Sequence, residues 1–410
     1  MPRYERPDRG LRGVTSPKMS RAHSSVLGVV LALAACTDDE AAGSATDADT
    51  RLGMSSSTTG ALADETTGTT GASTGDTTGP PARVTGTGPF VDEDALQYPR
   101  VVAIGDLHGD LDNTKDALML AGAIDETGAW IAGDQLAVIQ VGDQIDRGFD
   151  NRPTMDYMRQ LAAEAEAAGG VLHSLLGNHE TENVRPGSAG YYLARYANEA
   201  SLAQFEDIPW DEDYIAAWER EHGLPDLEDF EYLTYTEKDL RTTPDAWKGQ
   251  LTAYHPGGPY AQYFAERKVI LIFQRTLYVH GGVLPWHVEY GIDNINEDVR
   301  RWMLGETLEP YEIVSSSTDG PLWTRALSDD TSVPAGDRLE NYCEVIDEVL
   351  EMLDVDRMVV GHSVRYDMAA ECDNKLVIID VGMSSFYLPF GGGEIKLLQI
   401  VDGDQLSVLQ

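Results

Sequence analysis

An α/β fold is predicted by two features of the sequence. Short β-branched runs recur along the chain, each stopping at a glycine, and segments with apolar residues at helical spacing lie between them. The first run is RVVAIGD (100–106), the second LAVIQVGD (136–143) and the third VLHSLLG (171–177). Between the second and third, Asn151 offers a cap and Pro153 suits a first turn. Met155, Met158, Leu161 and Ala162 then recur on one face until Gly169 and Gly170 stop the helix. KVILIF, TLYVHGG, RMVVGHS and KLVIIDVG are further strands, and ENYCEVIDEVLEML puts Tyr342, Val345, Ile346, Val349 and Leu353 on one helical face. EIKLLQIV and QLSVLQ, joined by DGD, read as a closing hairpin. The stretch 191–267, rich in acids and aromatics with weak strand signals, reads as a mostly helical insertion whose rings form their own small core.

The first 92 residues are of another kind. VLGVVLALAAC ends at Cys36 and is too short to span a bilayer, but it fits a secretory apolar region. Leu33-Ala34-Ala35-Cys36 resembles a bacterial lipobox, so residues 1–36 are expected to be a lipoprotein signal peptide, with Met19 as an alternative start. Residues 37–92 are rich in Thr, Ser, Gly and Asp and lack any apolar period, the composition of a disordered tether. The expectation is an exported chain, lipid-anchored in the bacterial envelope through Cys36, with a globular domain over 93–410. Thr37 after the cysteine suggests onward transport to an outer membrane. Cys343 and Cys372 are expected as free thiols, Cys343 at the edge of an apolar helical face.

Charge restricts the function. Against 30 Lys and Arg stand 69 Asp and Glu, a formal net charge of −39. That field repels nucleic acids and anionic lipid, so no nucleic-acid partner is expected. It also repels phosphate esters, unless a local cationic centre overcomes it.

Such a centre is encoded at the strand ends. GDLHGD (105–110), GDQIDRG (142–148), GNHE (177–180), VHGG (279–282) and GHS (361–363) each set polar residues beside a glycine. In α/β sheets ligands gather outside the carboxyl ends of the strands. Asp106, His108, Asp143, Asn178, His280 and His362 are therefore candidate ligands, a mixed nitrogen and oxygen set suited to Mn, Fe or Zn. Asp143 can bridge two ions. Two divalent ions, less two carboxylates and a hydroxide, leave about one net positive charge to attract phosphate, and metal lowers the pKa of bound water to about 7. His179 is then free to protonate a leaving oxygen, with Asp146 orienting it. Arg147 can bind phosphate oxygens, and Arg325 in GPLWTR is either a second clamp or a structural ion pair.

These five motifs, in this order, resemble the signature of the calcineurin-like metallophosphoesterases. GDxxDRG and GNHE point to the phosphoprotein phosphatase branch, and HPGGPYAQYF, GPLWTR and IIDVGMSSFY are similar to its bacterial, Shewanella-like members. The resemblance covers about residues 98–410 and implies a four-layer α/β/β/α fold, with two packed sheets between helices. It implies the ligand set above around two divalent ions, Mn favoured, with His179 as general acid, Asp146 as its partner, and Arg147 and a later arginine holding phosphate. DVGMSSFY stands where eukaryotic members carry Ser-Ala-Pro-Asn-Tyr. The expected activity is hydrolysis of phosphomonoesters, on a phosphorylated protein or a small molecule, by a metal-bound hydroxide in a monomeric chain. Two alternatives stay open: a dinucleotide polyphosphate or phosphodiester hydrolase, and a non-catalytic surface binding module with a structural metal site.

Overall fold

The computed structural model describes residues 98–222, 246–310, 314, 316, 318–329 and 338–410. The expected signal peptide and tether lie outside these residues, as does the 223–245 part of the insertion. Among the described residues no helix is long and apolar enough to cross a membrane.

Two five-stranded sheets form the centre. In the first the order is β10-β9-β1-β2-β3, with β1 Arg100–Ile104, β2 Leu136–Gln140, β3 Val171–Ser174, β9 Leu397–Val401 and β10 Gln405–Leu409. In the second it is β4-β5-β6-β8-β7, with β4 Ile270–Phe273, β5 Thr276–Val279, β6 Arg357–Val360, β7 Ala369–Glu371 and β8 Leu376–Ile378. Strands β1, β2 and β3 run parallel, as do β5, β6 and β8, while the closing hairpin joins β1 antiparallel.

Strand alternation sorts the apolar residues into layers. Val101, Ala103, Ala137 and Ile139 pack between the sheets against Leu271, Phe273, Tyr278, Val359 and Val377. Their neighbours Val102, Ile104, Leu136 and Val138 face outward onto Ala117 and Leu118 of α1 (Leu111–Leu120) and Met158 and Leu161 of α2 (Asn151–Ala167). On the far side Ile270, Leu277, Met358 and Leu376 meet Val299 and Trp302 of helix Ile292–Met303 and Ile346 and Val349 of helix Tyr342–Leu353. The result is helix, sheet, sheet, helix, the layering expected.

Three details differ from the sequence reading. Asn151 does not cap α2; it is buried within it, and its Oδ1 accepts from the backbone N–H of Asp146 at 2.9 Å. Strand β7 was not foreseen. Cys343 and Cys372 are not free thiols but a disulfide, with Cα atoms 5.3 Å apart. Helix Tyr342–Leu353 and the turn between β7 and β8 come together, so two positions 29 residues apart in sequence meet. Closing a loop of that length contributes about 3–4 kcal/mol in the chain-entropy account.

The stretch after α3 (Asn178–Val184) forms helices Pro186–Tyr196, Glu199–Ala203, Glu212–Glu221, Ala246–Tyr254 and Pro259–Phe264. Leu193, Leu202, Ile215, Trp218, Trp247 and Leu251 make a separate cluster there. Tyr192, Phe205, Tyr254, Tyr260 and Phe264 instead join the main core, so the insertion's rings are divided between the two.

Candidate metal centre and its flanking acid

The predicted residues meet where the parallel strands of both sheets end. Asp106 follows β1, Asp143 follows β2, Asn178 opens α3 after β3, His280 follows β5 and His362 follows β6. Two glycines permit this crowding. Gly142 has φ +103°, and a Cβ on it would lie 2.6 Å from the Gly177 nitrogen. A Cβ on Gly361 would lie 2.5 Å from Asp106 Oδ1. Strain sits on the site residues themselves: His108, Asp143, Asp146, Arg147 and His362 have φ of 45°, 55°, 70°, 65° and 65°.

Glu180 fixes these turns. Its Oε2 accepts from Gly177 N (2.7 Å) and Asp143 N (2.9 Å), and its Oε1 from Gln144 N (2.8 Å). One buried carboxylate thus ties the turn after β2 to the turn after β3.

The side chains converge in two groups that share Asp143. The ligand-type atoms of His108, Asp143 and His179 lie within 4.8 Å of one another, and so do those of Asp143, His280 and His362. The tautomers follow from the hydrogen bonds. His280 Nδ1 faces the Val141 carbonyl at 3.0 Å and His108 Nδ1 faces the Ile145 carbonyl at 3.1 Å, so each Nδ1 carries the proton. Each Nε2 therefore presents a lone pair. That of His280 points at Asp143 Oδ2 (3.2 Å) and Asn178 Oδ1 (3.0 Å). That of His108 points at Asp106 Oδ2 (3.8 Å) and Asp143 Oδ2 (3.9 Å) with no hydrogen-bond partner, and the buried His362 Nε2 also has none. Acceptors that face acceptors in a dry site call for positive charge between them, a proton on the imidazole or a metal ion. The donor set therefore fits divalent metal ions, which Asp143, common to both groups, would help to hold.

Electrostatics point the same way. Burial, with Arg147 and His179 nearby, drives the His108 imidazole well below its usual range, and burial with Arg325 and His280 does so for His362. Both are neutral and available as ligands. Burial, then Asp380 and Asp143, pushes Asp106 well above the usual carboxylate range, a repulsion that bound cations would relieve. Burial also opposes ionisation of Asp143, but His280 and His179 outweigh it and hold its pKa well below the ordinary value.

His179 stands at the edge of this centre. Its Nδ1 bonds Asp146 Oδ2 at 2.8 Å, its backbone N–H donates to Asp143 Oδ1 at 3.0 Å, and its Nε2 receives an N–H from Arg147 Nη2 at 3.2 Å. Burial lowers its pKa, yet Asp143 and Asp146 prevail and raise it above the usual value. Asn183, one helical turn on, donates to the same Asp146 oxygen at 2.8 Å. Arg147 also donates to the Tyr387 hydroxyl and packs against the rings of Tyr196, Phe386 and Tyr387, 5.6–5.9 Å away. Arg325 is close enough to His362 to lower its pKa, and its buried Nε has no hydrogen-bond partner.

The sequence reading missed several neighbours. Asn183 sits four residues after His179 in NHETEN, a helical spacing that could have flagged it. Tyr387 lies inside a quoted motif without an assigned role. Asp380 follows β8, as the ligands follow their strands, but no glycine-plus-histidine pattern marks it. Asp110 caps α1 through Asn113 N (3.0 Å) and accepts from Ser385 N (2.7 Å), joining the first turn to the Tyr387 segment.

A profile of the family described as Calcineurin-like phosphoesterase matches residues 99–366. The chain is 31% identical to Shewanella-like protein phosphatase 2 of Arabidopsis thaliana over 296 residues, 70% of this chain and 71% of that protein. It is 24% identical to Shewanella-like protein phosphatase 1 of Plasmodium berghei over 317 residues, 74% of each. Among solved structures, a cold-active protein-tyrosine phosphatase of a psychrophilic Shewanella shares the fold, with a TM-score of 0.51 at 22% identity over 77% of this chain and 81% of that one. The profile covers well over half of the chain and every one of the five strand-end motifs. This protein belongs to the calcineurin-like phosphoesterase family.

Proposed function

We propose that this chain is a two-metal phosphomonoesterase acting on phosphorylated protein side chains, with aryl esters preferred. One observation carries the reading: buried lone pairs converge in two groups that share Asp143, and in the first of them the His179 ring is taken up on both nitrogens, Nδ1 by Asp146 and Nε2 by Arg147. Divalent ions held there, manganese in this reading, supply Lewis acidity and a water deprotonated near neutral pH. Asp106, His108, Asp143, Asn178, His280 and His362 would hold them. Arg147, steadied by Tyr387, and Arg325 grip the phosphate oxygens from two sides. His179 delivers a proton to the leaving oxygen from Nε2, while Asp146 keeps Nδ1–H in place and supports the charged imidazole. A purely structural metal site has no use for these three side chains.

The preference for aryl esters rests on the rings beside the acid. Tyr192 and Tyr196 lie 5.2 and 4.8 Å from the His179 ring, where a leaving phenol would emerge. The Shewanella neighbour is itself named a protein-tyrosine phosphatase. In a panel with manganese, iron and zinc, phosphotyrosine peptide should show kcat/KM about tenfold above phosphoserine peptide, the ratio that one ring contact supplies. Tyr196→Ala should close that gap. Equal rates would remove the aryl preference. Faster turnover of a dinucleotide polyphosphate would replace the substrate class, and no phosphatase turnover with any of the three metals would defeat the proposal.

The reading extends to location: an exported enzyme, lipid-anchored at Cys36. It is supported by the apolar run ending in Leu33-Ala34-Ala35-Cys36 and the Thr/Ser/Gly/Asp tether behind it. Expressed in a Gram-negative host, the chain should partition with membranes and take up radiolabelled palmitate, and Cys36→Ala should do neither. Palmitate-free soluble protein from the unaltered sequence would refute the anchor.

A further inference from the structure

Trp323 has a place that the reading above does not use. It lies in the turn after Gly320, laid across the end of β5: the N–H groups of Gly281 and Gly282 donate to the Pro321 carbonyl at 2.9 and 3.0 Å. The fit is close, since a Cβ on Gly281 would lie 2.9 Å from the Trp323 nitrogen. The indole ring meets the His362 imidazole edge-on, with centroids 5.6 Å apart at 83°. Its Nε1–H donates to Glu182 Oε1 at 3.2 Å. Glu182 is itself buried on α3, one turn after Asn178, and its ion pair with Arg185 (3.0 Å) continues to Glu309 (2.6 Å). Trp323 is thus braced from three directions, by the turn after β5, by the second metal group and by α3. Arg325 is two residues further on. Between them Thr324 is fully buried, and its Oγ1 accepts from Ala326 N at 3.2 Å, so little freedom remains between brace and guanidinium.

We propose that Trp323, held by Glu182, is a positioning residue that sets Arg325 at the phosphate-binding face of the second metal group. The inference rests on the reading of Arg325 as a phosphate clamp. An indole tied to a buried carboxylate is a stiff strut, and a long arginine side chain gains phosphate affinity when its base is fixed before binding. Phenylalanine at 323 keeps a ring against His362 and removes the Nε1–H.

The experiment uses the full chain loaded with manganese, an aryl phosphate as substrate and inorganic phosphate as competitive inhibitor. Trp323→Phe should raise KM and the inhibition constant for phosphate together by about tenfold, while kcat stays within about threefold and bound metal is unchanged. Glu182→Ala should do the same, and the double variant should be no worse than either single change, because both act through one contact. Arg325→Ala separates the two claims. Unchanged KM and phosphate inhibition in Arg325→Ala would remove the clamp reading and this inference with it. A tenfold effect in Arg325→Ala with none in Trp323→Phe would overturn the inference alone. So would loss of metal in Trp323→Phe, which would make the indole a prop for His362, or fully additive effects in the double variant.

Discussion

Asp143→Asn should release metal from both groups and lower kcat/KM by about 10³–10⁴, the several kcal/mol that metal chemistry supplies. The asymmetry of its hydrogen bonds is the reason. Oδ1 already accepts the backbone N–H of His179, while Oδ2 lies 3.2 Å from His280 Nε2, 3.9 Å from His108 Nε2 and 3.8 Å from His179 Nε2. An amide can satisfy only one side. With its oxygen kept toward the His179 N–H, its NH2 turns into the shared point and offers hydrogens where a cation needs lone pairs. Among the described residues Asp143 alone belongs to both groups, so neither group has a substitute for it. Metal analysis should show at least about half of the bound metal lost, with the circular dichroism of the fold retained because Asp143 N still bonds Glu180. Full metal content with activity within tenfold of the unaltered chain would refute the shared-ligand assignment.

His179→Asn should leave metal in place and lower kcat by about 10²–10⁴, the usual contribution of a positioned acid. The pH profile carries the more specific test. In the proposed mechanism protonated His179 is the working form, and its pKa is raised, so the unaltered enzyme should hold its rate past the ordinary histidine range and lose it as pH rises through the folded value. Bound cations neutralise part of the lift from Asp143 and leave Asp146 as the main support. Asp146→Asn should therefore move the alkaline limb to lower pH, whereas His179→Asn should abolish it. The loss should be smaller for substrates with good leaving groups such as nitrophenol. A His179→Asn enzyme with an unaltered alkaline limb would exclude the acid role.

The five strand-end motifs were legible because each couples a local necessity to a chemical one. The chain must turn where a parallel strand ends, glycine permits the turn, and the adjacent position looks into the crevice between sheets. That logic reaches Asp106, Asp143, Asn178, His280 and His362 without any knowledge of long-range contacts. It fails for Asp380, which follows its strand by two residues without a glycine in front, and for Trp323, whose contacts come from three distant segments. Asn151 shows a different failure. Its preference for caps is real, but Asp146 in a left-handed conformation needed an acceptor for its N–H, and that tertiary demand outweighed the local one. The cysteines were misread for the same reason. Residues 343 and 372 lie on elements whose proximity depends on how the helix covers the second sheet, and spacing alone does not encode that.

The pairing of β1 with β9 has a consequence for how the molecule comes into being. Residues 100–103 pair with residues 398–401, about three hundred positions later, and the β9–β10 hairpin completes this sheet. The first sheet can close only once residues 397–409 have been made, and contacts of such separation form slowly. Until then β1 keeps one edge unpaired, so the two halves of the chain are held to a single order of assembly in which the second sheet, complete by residue 378, precedes the first.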